Sequence, residues 1–359
     1  MTDRIYYAHT SGATGEWQPL SEHLYAVAEK ARLFAEPFGA GDLAYWAGLL
    51  HDLGKFNPAF QRYLEESERA RKNGWQGAMR GPDHSSAGML VARTVYSQKY
   101  PQLGQTAQGA ELAWPIASHH AGLADLASLE ERLARKSRDT DVSQAIQIGV
   151  QKMQELKALL DTEPALPLLP SNLSREFFVR MLLSCLVDAD YLDTEAWLDP
   201  EKHAHREQEL SSIDDLLKTV IENQDELINT APHTDINQAR RNIYYAALDK
   251  SAERTGFFRL SVLTGGGKTR TALAFALKHA EGYNLKRVIF AIPYTSIIEQ
   301  TAEEFREIVG PKNVLEHHSA LAIKDDEQDQ NNWARLATDN WDAPIIVTTT
   351  VQLLSLIHI

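Results

Sequence analysis

The segment that decides the fold is AGLLHDLGKFNPAFQRYL, residues 47–64, which places His51 and Asp52 at the end of an apolar helix. Adjacent residues on a helix point about 100° apart, so an imidazole and a carboxylate at successive positions can meet at one metal ion beyond the helix surface. Nitrogen and oxygen ligands together suit borderline divalent ions such as Mn, Fe, Co or Ni. The pair alone is equally consistent with a structural cap or a surface ion pair.

Further candidate ligands lie elsewhere in the first 200 residues, namely His23, His84, His119, His120, Asp188 and Asp190. Together with His51 and Asp52 they are too many for one ion and about right for two. Paired ions roughly 3.5–4 Å apart are suited to in-line attack on phosphodiesters. The sequence therefore favours a two-metal site for phosphodiester chemistry.

Asp188 and Asp190 are alternatives for one ligand position. Asp190 lies one helical turn from Leu186, which turns it inward, whereas Asp188 shares a face with Ser184. We predict Asp190 as the ligand and keep Asp188 as the second candidate.

Lys55, His23 and the pair His119-His120 each have a structural alternative. Lys55 is either a solvated lysine or a group that stabilises charge on a phosphoryl oxygen. His23 taken alone could be an ordinary core or surface histidine. Two adjacent histidines are costly to bury unless they are partnered, which favours a ligand role for His119 and His120.

Five motifs occur in an order that resembles the HD-type nuclease domain of the CRISPR-associated nuclease-helicases of type I systems, most of all the type I-C branch. They are EHLYAVAEKARLFAEPFG (22–39), AGLLHDLGKFNPAFQRYL (47–64), DHSSAG (83–88), ASHHAGL (117–123) and LVDADYLDTEAW (186–197). The resemblance implies that a pair of divalent metals is bound by His23, His51, Asp52, His84, His119, His120 and one of Asp188 and Asp190. Lys55 belongs to the same signature.

A phosphate-binding loop is predicted at residues 263–269, LTGGGKT, between a β-like run and a helix. Consecutive glycines let backbone N–H groups surround phosphates at a helix N-terminus, while the lysine reaches the β and γ oxygens and the threonine hydroxyl holds Mg²⁺. Val262 stands where the complete motif has its first glycine, and a flexible glycine turn is the alternative. The predicted ATP-binding residues are Thr264, Gly265, Gly266, Gly267, Lys268 and Thr269.

Three later segments also resemble the helicase half of this family. They are AIPYTSIIEQTAEEFREIVG (291–310), VLEHHSA (314–320) and APIIVTTTVQLL (343–354). We assign His317-His318 to a helicase motif and not to the metal centre, with a surface loop as the alternative.

The order of helix and strand patterns predicts two kinds of fold. The first 200 residues are mostly helical, whereas strand candidates at Phe257–Leu263, Arg287–Ile292 and Pro344–Thr349 alternate with helices, which indicates a parallel sheet. We predict an all-α HD-type domain at residues 1–205, followed by a helical linker at 206–235. Residues 236–359 would be the beginning of an α/β RecA-like P-loop helicase lobe that stops before the DEAD-box motif.

Composition excludes other classes. The 359 residues have a net charge of −13, and the single cysteine, Cys185, rules out a disulfide framework and a cysteine-based zinc site. We expect a cytoplasmic protein without membrane contact, because no secretory signal is present and the apolar run 177–187 is too short to cross a bilayer. The acidic balance favours nucleic-acid binding in a local channel bridged by cations over a broad basic face.

The leading functional hypothesis is a metal-dependent endo- or exonuclease for single-stranded DNA, joined to an ATP-dependent 3′–5′ helicase that is incomplete here. Its cofactors would be two transition metals (Mn, Fe, Ni or Co, with Mg as a further option), and ATP with Mg in the full-length protein. The resemblance implies that an RNA-guided surveillance complex recruits the protein, which degrades the displaced non-target strand in antiviral defence. The alternatives are an HD-type phosphohydrolase acting on nucleotides and a non-catalytic fragment that binds ATP and metal.

Overall fold

The computed structural model describes residues 4–12, 15–75, 77, 79–99, 110–161, 171–206, 209–319 and 333–357, and it divides into two units, residues 1–204 and 205–359. Helices dominate the first unit, as predicted. They are α1 (Leu20–Ala35), α2 (Gly41–Leu50), α3 (Pro58–Lys72), α4 (Ser85–Lys99), α5 (Ala110–Ser118), α6 (Leu126–Lys136), α7 (Thr140–Lys152), α8 (Gln154–Asp161), α9 (Asn172–Leu198) and α10 (Pro200–Arg206), which contains the boundary. Among the described helices, none combines the length and apolar character needed to cross a membrane.

Helix α2 is the central element of the first unit, because apolar and small residues cover it on nearly all sides. Gly48 allows α1 to approach closely, since a Cβ there would lie 2.6 Å from the backbone nitrogen of Ala28. On α4, a Cβ at Gly88 would lie 2.6 Å from the carbonyl carbon of Leu50. The end of α2 is therefore held in the interior between α1 and α4, and the residues that follow it are buried.

A short antiparallel pair, β1 (Tyr7–His9) and β2 (Gln18–Pro19), closes one side of this helical unit. The side chain of Gln61 on α3 joins β1 to the turn after α2. Its Oε1 accepts from the Tyr7 N–H at 3.0 Å, and its Nε2 donates to the carbonyl oxygens of Tyr7 at 3.0 Å and Lys55 at 2.8 Å. This buried amide fixes β1 against the segment that contains Lys55.

The second unit is α/β and confirms the predicted parallel sheet. Strands β3 (Val288–Ile292) and β5 (Ile345–Thr349) pair in parallel, and β4 (Val314–His317) pairs in parallel with the other edge of β5. The helices of this unit are α11 (Ile213–Thr230), α12 (Asp235–Lys250), α13 (Lys268–Gly282), α14 (Thr295–Val309), α15 (Trp333–Asn340) and α16 (Thr350–Ile357). Helices α11, α13 and α14 bury their apolar faces, with Leu216, Leu277 and Phe305, in one core with the sheet.

The prediction of a strand at Phe257–Leu263 is wrong for the structure as described, which assigns no strand between residues 251 and 267. Phe257 and Leu263 expose most of their side chains. A strand must pair its backbone N–H and C=O groups with a neighbour, and apolar composition alone does not supply one. The other two predicted strands are confirmed, because β5 pairs with β3 along its whole length.

Candidate metal centre

His51 and Asp52 lie where α2 ends and a 3₁₀ turn, Leu53–Phe56, begins. The backbone N–H of His51 still donates to Ala47 O at 2.9 Å, and the N–H of Lys55 donates to Asp52 O at 2.9 Å. Both side chains of the pair are buried, with 0% of His51 and 1% of Asp52 exposed. Burial excludes the surface-pair interpretation of these two residues.

A first group of ligand-type side chains consists of His23 from α1, His51 and Asp52 after α2, and Asp190 from α9, with ligand atoms all within 4.8 Å of one another. Asp52 Oδ2 lies 3.5 Å from His23 Nε2 and 3.4 Å from His51 Nε2. Asp190 Oδ1 lies 3.3 Å from His23 Nε2 and 3.5 Å from His51 Nε2. Four side chains from α1, α9 and the residues after α2 thus face one point.

A second group consists of Asp52, His84, His119 and His120, again with ligand atoms within 4.8 Å of one another. The Oδ1 atom of Asp52 lies 3.7 Å from His84 Nε2 and 3.5 Å from His119 Nε2. Asp52 therefore belongs to both groups, and it turns one carboxylate oxygen towards each. The structure brings together all the predicted ligands except Asp188.

Four of the histidines have their ring orientation fixed through Nδ1. Three of them donate through Nδ1–H to a backbone carbonyl: His51 to Gly48 O at 2.7 Å, His119 to Ile116 O at 2.8 Å and His84 to Pro82 O at 3.1 Å. His23 donates through Nδ1–H to Asp193 Oδ2 at 2.9 Å. A histidine that donates through Nδ1 presents the lone pair of Nε2, which is how metal-binding histidines are usually held. The four Nε2 atoms are thus prepared to act as ligands.

The unpaired atoms fit a pair of divalent cations. Among the described residues, buried atoms without a hydrogen-bond partner include Nε2 of His23, His51, His84 and His119 and Oδ1 of Asp52. Such atoms are costly to bury unless something binds them. The N–O separations of 3.3–3.7 Å match the edge of about 3.4 Å between tetrahedral ligands with bonds of about 2.1 Å. Mixed imidazole and carboxylate ligands suit Mn, Fe, Co, Ni or Zn more than Mg.

The charges of the centre also favour cations. Burial disfavours a charged ring, yet the carboxylates of Asp52 and Asp190 raise the pKa of His51 to about 10. Against the same effect of burial, the neighbouring carboxylates of Asp190, Asp193 and Asp52 raise the pKa of His23 to about 9. The negative carboxylates thus keep protons on the histidines. A bound metal ion would neutralise the carboxylates instead, and its binding must release those protons.

Lys55 is not a solvated lysine. Only 5% of it is exposed, and its Nζ lies 2.6 Å from Asp52 Oδ2 and donates to Ala8 O at 3.2 Å. Burial would raise the pKa of Asp52, but Lys55 and His51 hold it well below its usual range. Lys55 therefore keeps the carboxylate shared by the two groups ionised and fixed in position.

Asp188 lies outside both groups, on a different face of α9. Its charge acts on Cys185 instead: burial and the charge of Asp188 together raise the pKa of the Cys185 thiol to about 12. Sequence reasoning missed Asp193, three residues after Asp190 and on the same helix face. Asp193 accepts from His23 Nδ1 and, at 2.8 Å, from Gln18 Nε2. Its spacing of one turn from Asp190 was the signal that could have identified it.

The predicted phosphate loop precedes α13, which begins at Lys268. Gly265 and Gly267 have φ of 80° and 79°, a backbone conformation that favours glycine. Thr264, Lys268 and Thr269 line a cleft of about 430 Å³ together with Arg240 of α12, whose Nε donates to Gly265 O at 2.8 Å. Gly266 packs against the side chain of Val262, the residue that replaces the first glycine of the complete motif. The loop has the geometry to surround a phosphate at a helix N-terminus.

His317 is the last residue of strand β4 and His318 follows it directly, which removes the surface-loop alternative. The ring of His317 accepts from Trp341 Nε1 at 2.7 Å, and its backbone carbonyl accepts from Thr348 Oγ1 at 2.6 Å. His318 is 2% exposed, and its Nε2 lies 3.0 Å from Glu316 Oε1. Both rings are packed at the end of the parallel sheet.

Comparison with known proteins agrees with both halves of this description. The family model described as "Cas3, HD domain" matches residues 8–192, and the one described as "Type III restriction enzyme, res subunit" matches residues 216–357. The "CRISPR-associated nuclease/helicase Cas3" of Haloferax volcanii is 26% identical over an alignment 408 residues long, which covers 93% of this chain and 41% of the relative. The chain therefore spans about two fifths of the length of that curated relative.

Solved structures of T. fusca Cas3 share the fold. One superposes with a TM-score of 0.58 at 16% identity, covering 98% of this chain and 44% of the other. Its complex with AMPPNP gives a TM-score of 0.58 at 19% identity over 97% and 43% of the two chains.

The helical fold and the shared-aspartate cluster define an HD-domain protein, and the parallel sheet with its phosphate loop adds a helicase-like region. The Cas3 HD model covers more than half of the chain. The chain belongs to the Cas3 HD-domain family.

Proposed function

We propose that the first unit is a two-metal nuclease that cuts single-stranded DNA. The observation that carries the proposal is the position of Asp52, which turns Oδ2 towards His23 and His51 and Oδ1 towards His84 and His119. A carboxylate shared in this way sets two ligand groups side by side, as the two-metal mechanism of phosphodiester hydrolysis requires. Two bound divalent ions would supply an activated water and neutralise charge on the attacked phosphate and its leaving oxygen.

The chain's own side chains would do the positioning. In this proposal His23, His51 and Asp190 hold one ion and His84, His119 and His120 the other, with Asp52 between them. Burial of His23, His51, Asp52 and His119 keeps bulk water from the inner side of the cluster and strengthens the electrostatic interactions there, while His120 lies on its exposed side. His120 suits a ligand role, because burial and the neighbouring His119 lower its pKa to about 4 and leave the ring neutral.

Lys55 has a second proposed task besides holding Asp52. Among the lysines and arginines that the structure describes, only Lys55 has its charged group within 4.0 Å of Asp52, the ligand that both groups share. When bound cations take over the charge of Asp52, the same ammonium can stabilise negative charge on a phosphoryl oxygen that enters the centre.

A cleft beside the second ligand group fits a nucleic-acid strand. Arg62, Tyr63 and Arg80 line this cleft of about 460 Å³. The ring of Phe60 packs on Tyr63 at 5.6 Å and on His84 at 5.2 Å between centroids, so the cleft adjoins the metal centre. Basic groups next to an aromatic ring are the usual means of holding single strands without sequence preference.

The family likeness supports the wider role. A relative named as a CRISPR-associated nuclease/helicase matches most of this chain, and the phosphate loop offers a site for ATP with Mg. We therefore propose that residues 236–359 begin a RecA-like helicase lobe of a 3′–5′ translocase, after an HD domain at 1–205 and a helical connection at 206–235 whose helix α11 packs into the core of that lobe. In CRISPR interference in the cytoplasm, this translocase would deliver to the nuclease the DNA strand that an RNA-guided surveillance complex displaces.

The test compares Asp52→Ala with Asp188→Ala, a matched change on α9 outside both ligand groups. Cleavage of a single-stranded oligonucleotide is measured with Mn²⁺ or Ni²⁺ and after chelation. We expect Asp52→Ala to lower cleavage by more than the roughly 10–100-fold that losing a supporting residue causes, and Asp188→Ala to cleave normally. Equal cleavage by Asp52→Ala and the wild type would refute the nuclease, and hydrolysis of nucleotide monophosphates without DNA cleavage would replace it with a nucleotide phosphohydrolase.

A further inference from the structure

Arg132 on α6 joins the two segments that carry the histidines of the second ligand group. Its Nη1 donates to Ala117 O at 2.7 Å, two residues before His119. Its Nη2 donates to Ser85 Oγ at 2.8 Å and Ser86 Oγ at 2.9 Å, and its Nε donates to Ser86 Oγ at 3.1 Å, next to His84. One planar guanidinium thus connects the end of α5 to the start of α4.

Both ends of this connection are helix termini that need partners. The last carbonyls of a helix have no intrahelical donor, and Arg132 supplies one to Ala117 O of α5. At the start of α4, the Asp83 carboxylate accepts from the N–H and the hydroxyl of Ser86 at 3.2 and 2.7 Å, and Arg132 Nη2 lies 3.3 Å from its Oδ1. Arg132 therefore fixes the spacing between the backbones on either side of His84 and His119.

The first ligand group is supported by different residues. His23 is held by Asp193, which Gln18 fixes in turn, and Lys30 Nζ lies 3.5 Å from the other oxygen of Asp193. None of the hydrogen bonds and ion pairs that the structure describes for Arg132 involves His23 or Asp193. Apart from Asp52 and the turn that carries it, the two halves of the centre have separate supports.

We propose that Arg132 is a positioning residue that builds the second metal subsite, so that the two subsites can be weakened independently. The proposal rests on the two-metal function above. Bidentate and forked hydrogen bonding is specific to a guanidinium, and a lysine can reach only one of the two helix ends at a time. Loss of Arg132 should let His84 and His119 move apart while His23, His51 and Asp190 keep their geometry.

The experiment is a titration of the metal-free full chain with Mn²⁺, followed by calorimetry, for wild type, Arg132→Gln, Arg132→Lys and Asp193→Ala. The matched control is Arg93→Gln, because Arg93 also joins α4 to α6, and its bond to Glu130 Oε1 at 2.9 Å involves none of Ser85, Ser86 and Ala117. We expect two sites in the wild type and in the control. One site should be weakened about 10–100-fold in Arg132→Gln, less so in Arg132→Lys, and the other site should be weakened in Asp193→Ala.

The outcomes separate this inference from the function on which it rests. Fewer than two sites in the wild type would contradict the two-metal proposal itself. Two unchanged sites in Arg132→Gln, or equal weakening of both sites in a variant whose circular dichroism and melting match the wild type, would overturn the role of Arg132. Weakening of the same site by Asp193→Ala and Arg132→Gln would also overturn it, because the supports would then not be separate.

Discussion

Gly54 lies where the turn after α2 meets the backbone of His84, and replacing it with alanine should disturb both ligand groups. The N–H of Gly54 donates to His84 O at 2.9 Å. A Cβ on Gly54 would lie 2.5 Å from the Cα of His84. Gly54 is also two residues from Asp52, so either backbone that moves to make room carries a ligand.

The size of the effect follows from these distances. Carbon atoms in contact stay about 3.5 Å apart, so one backbone must retreat by roughly 1 Å. Overpacking of this kind costs about 1–3 kcal/mol of unfolding free energy. A displacement of about 1 Å in a catalytic group can lower a rate by about 100-fold. We expect Gly54→Ala to lose metal affinity at both subsites, most at the subsite of His84, and to cleave single-stranded DNA about 100-fold more slowly.

The assays are urea unfolding, Mn²⁺ titration and oligonucleotide cleavage, with Gly282→Ala as the control because a Cβ there meets no atom within 4 Å. The control should match the wild type in metal binding and cleavage. A Gly54→Ala protein that binds metal and cuts DNA as the wild type does would refute the claim that the ligand geometry depends on this contact. A protein that loses stability but keeps its metal affinity would refute it as well.

Four residues give further predictions. The double variant Arg62→Ala with Arg80→Ala should reduce the slope of log affinity against log salt for single-stranded DNA by about 1.4, because two phosphate contacts are lost. Hydrolysis of the small ester bis(p-nitrophenyl) phosphate should stay unchanged. Loss of DNA affinity together with loss of ester hydrolysis would place these arginines in the metal centre instead. Lys268→Ala should weaken binding of an ATP analogue by about 10–100-fold, the effect of a lost charged hydrogen bond, and equal binding in a filter assay would contradict the phosphate-loop assignment. Hydrogen bonds from Arg71 lower the pKa of Glu68 from 4.5 to about 2, so its stabilisation is complete above pH 4.5 and is lost as the pH falls towards 2. The difference in unfolding free energy between wild type and Glu68→Gln should therefore narrow over that interval, and a constant difference would show that the ion pair does not contribute.

Much of the helical unit could be predicted because its signal is local. The recurrence of Leu24, Val27 and Ala31 marks α1 and its buried face. The roles of the glycines in α2 and α4 could not be predicted in the same way. Gly48, for example, is required only because the backbone of Ala28 on α1 packs against it, and the sequence does not show that contact. The local sequence around a residue does not identify the residue that contacts it in the folded protein.

The wrong strand at Phe257–Leu263 and the missed Asp193 have related causes. An apolar run resembles a buried strand whether or not a neighbouring strand is present to pair with it. Asp193 acts through His23, which is 170 residues away along the chain. The choice of Asp190 over Asp188 rested on helix periodicity, and there the local rule and the structure agree, because α9 is regular through both positions.

The location of the metal ligands at helix ends has a physical reason. His51 directly follows α2 and His119 directly follows α5, and each donates through Nδ1 to the carbonyl three residues earlier, Gly48 O and Ile116 O. Those carbonyls belong to the last turn of their helices, where no intrahelical N–H is available. The same bond therefore satisfies a free carbonyl and leaves Nε2 as the ligand atom.

The helix ends also contribute to the field at the centre. The C-terminus of a helix carries about half a negative charge, and α2 and α5 both end at the ligand groups. Together with Asp52 and Asp190 they place negative charge in the interior, which the buried Lys55 and the protons held by His23 and His51 offset until a cation binds. A histidine placed directly after an apolar helix thus gains a fixed ring and a site that favours cations. This explains why an apolar helix followed by a histidine and an aspartate predicts a metal site better than the two residues would alone.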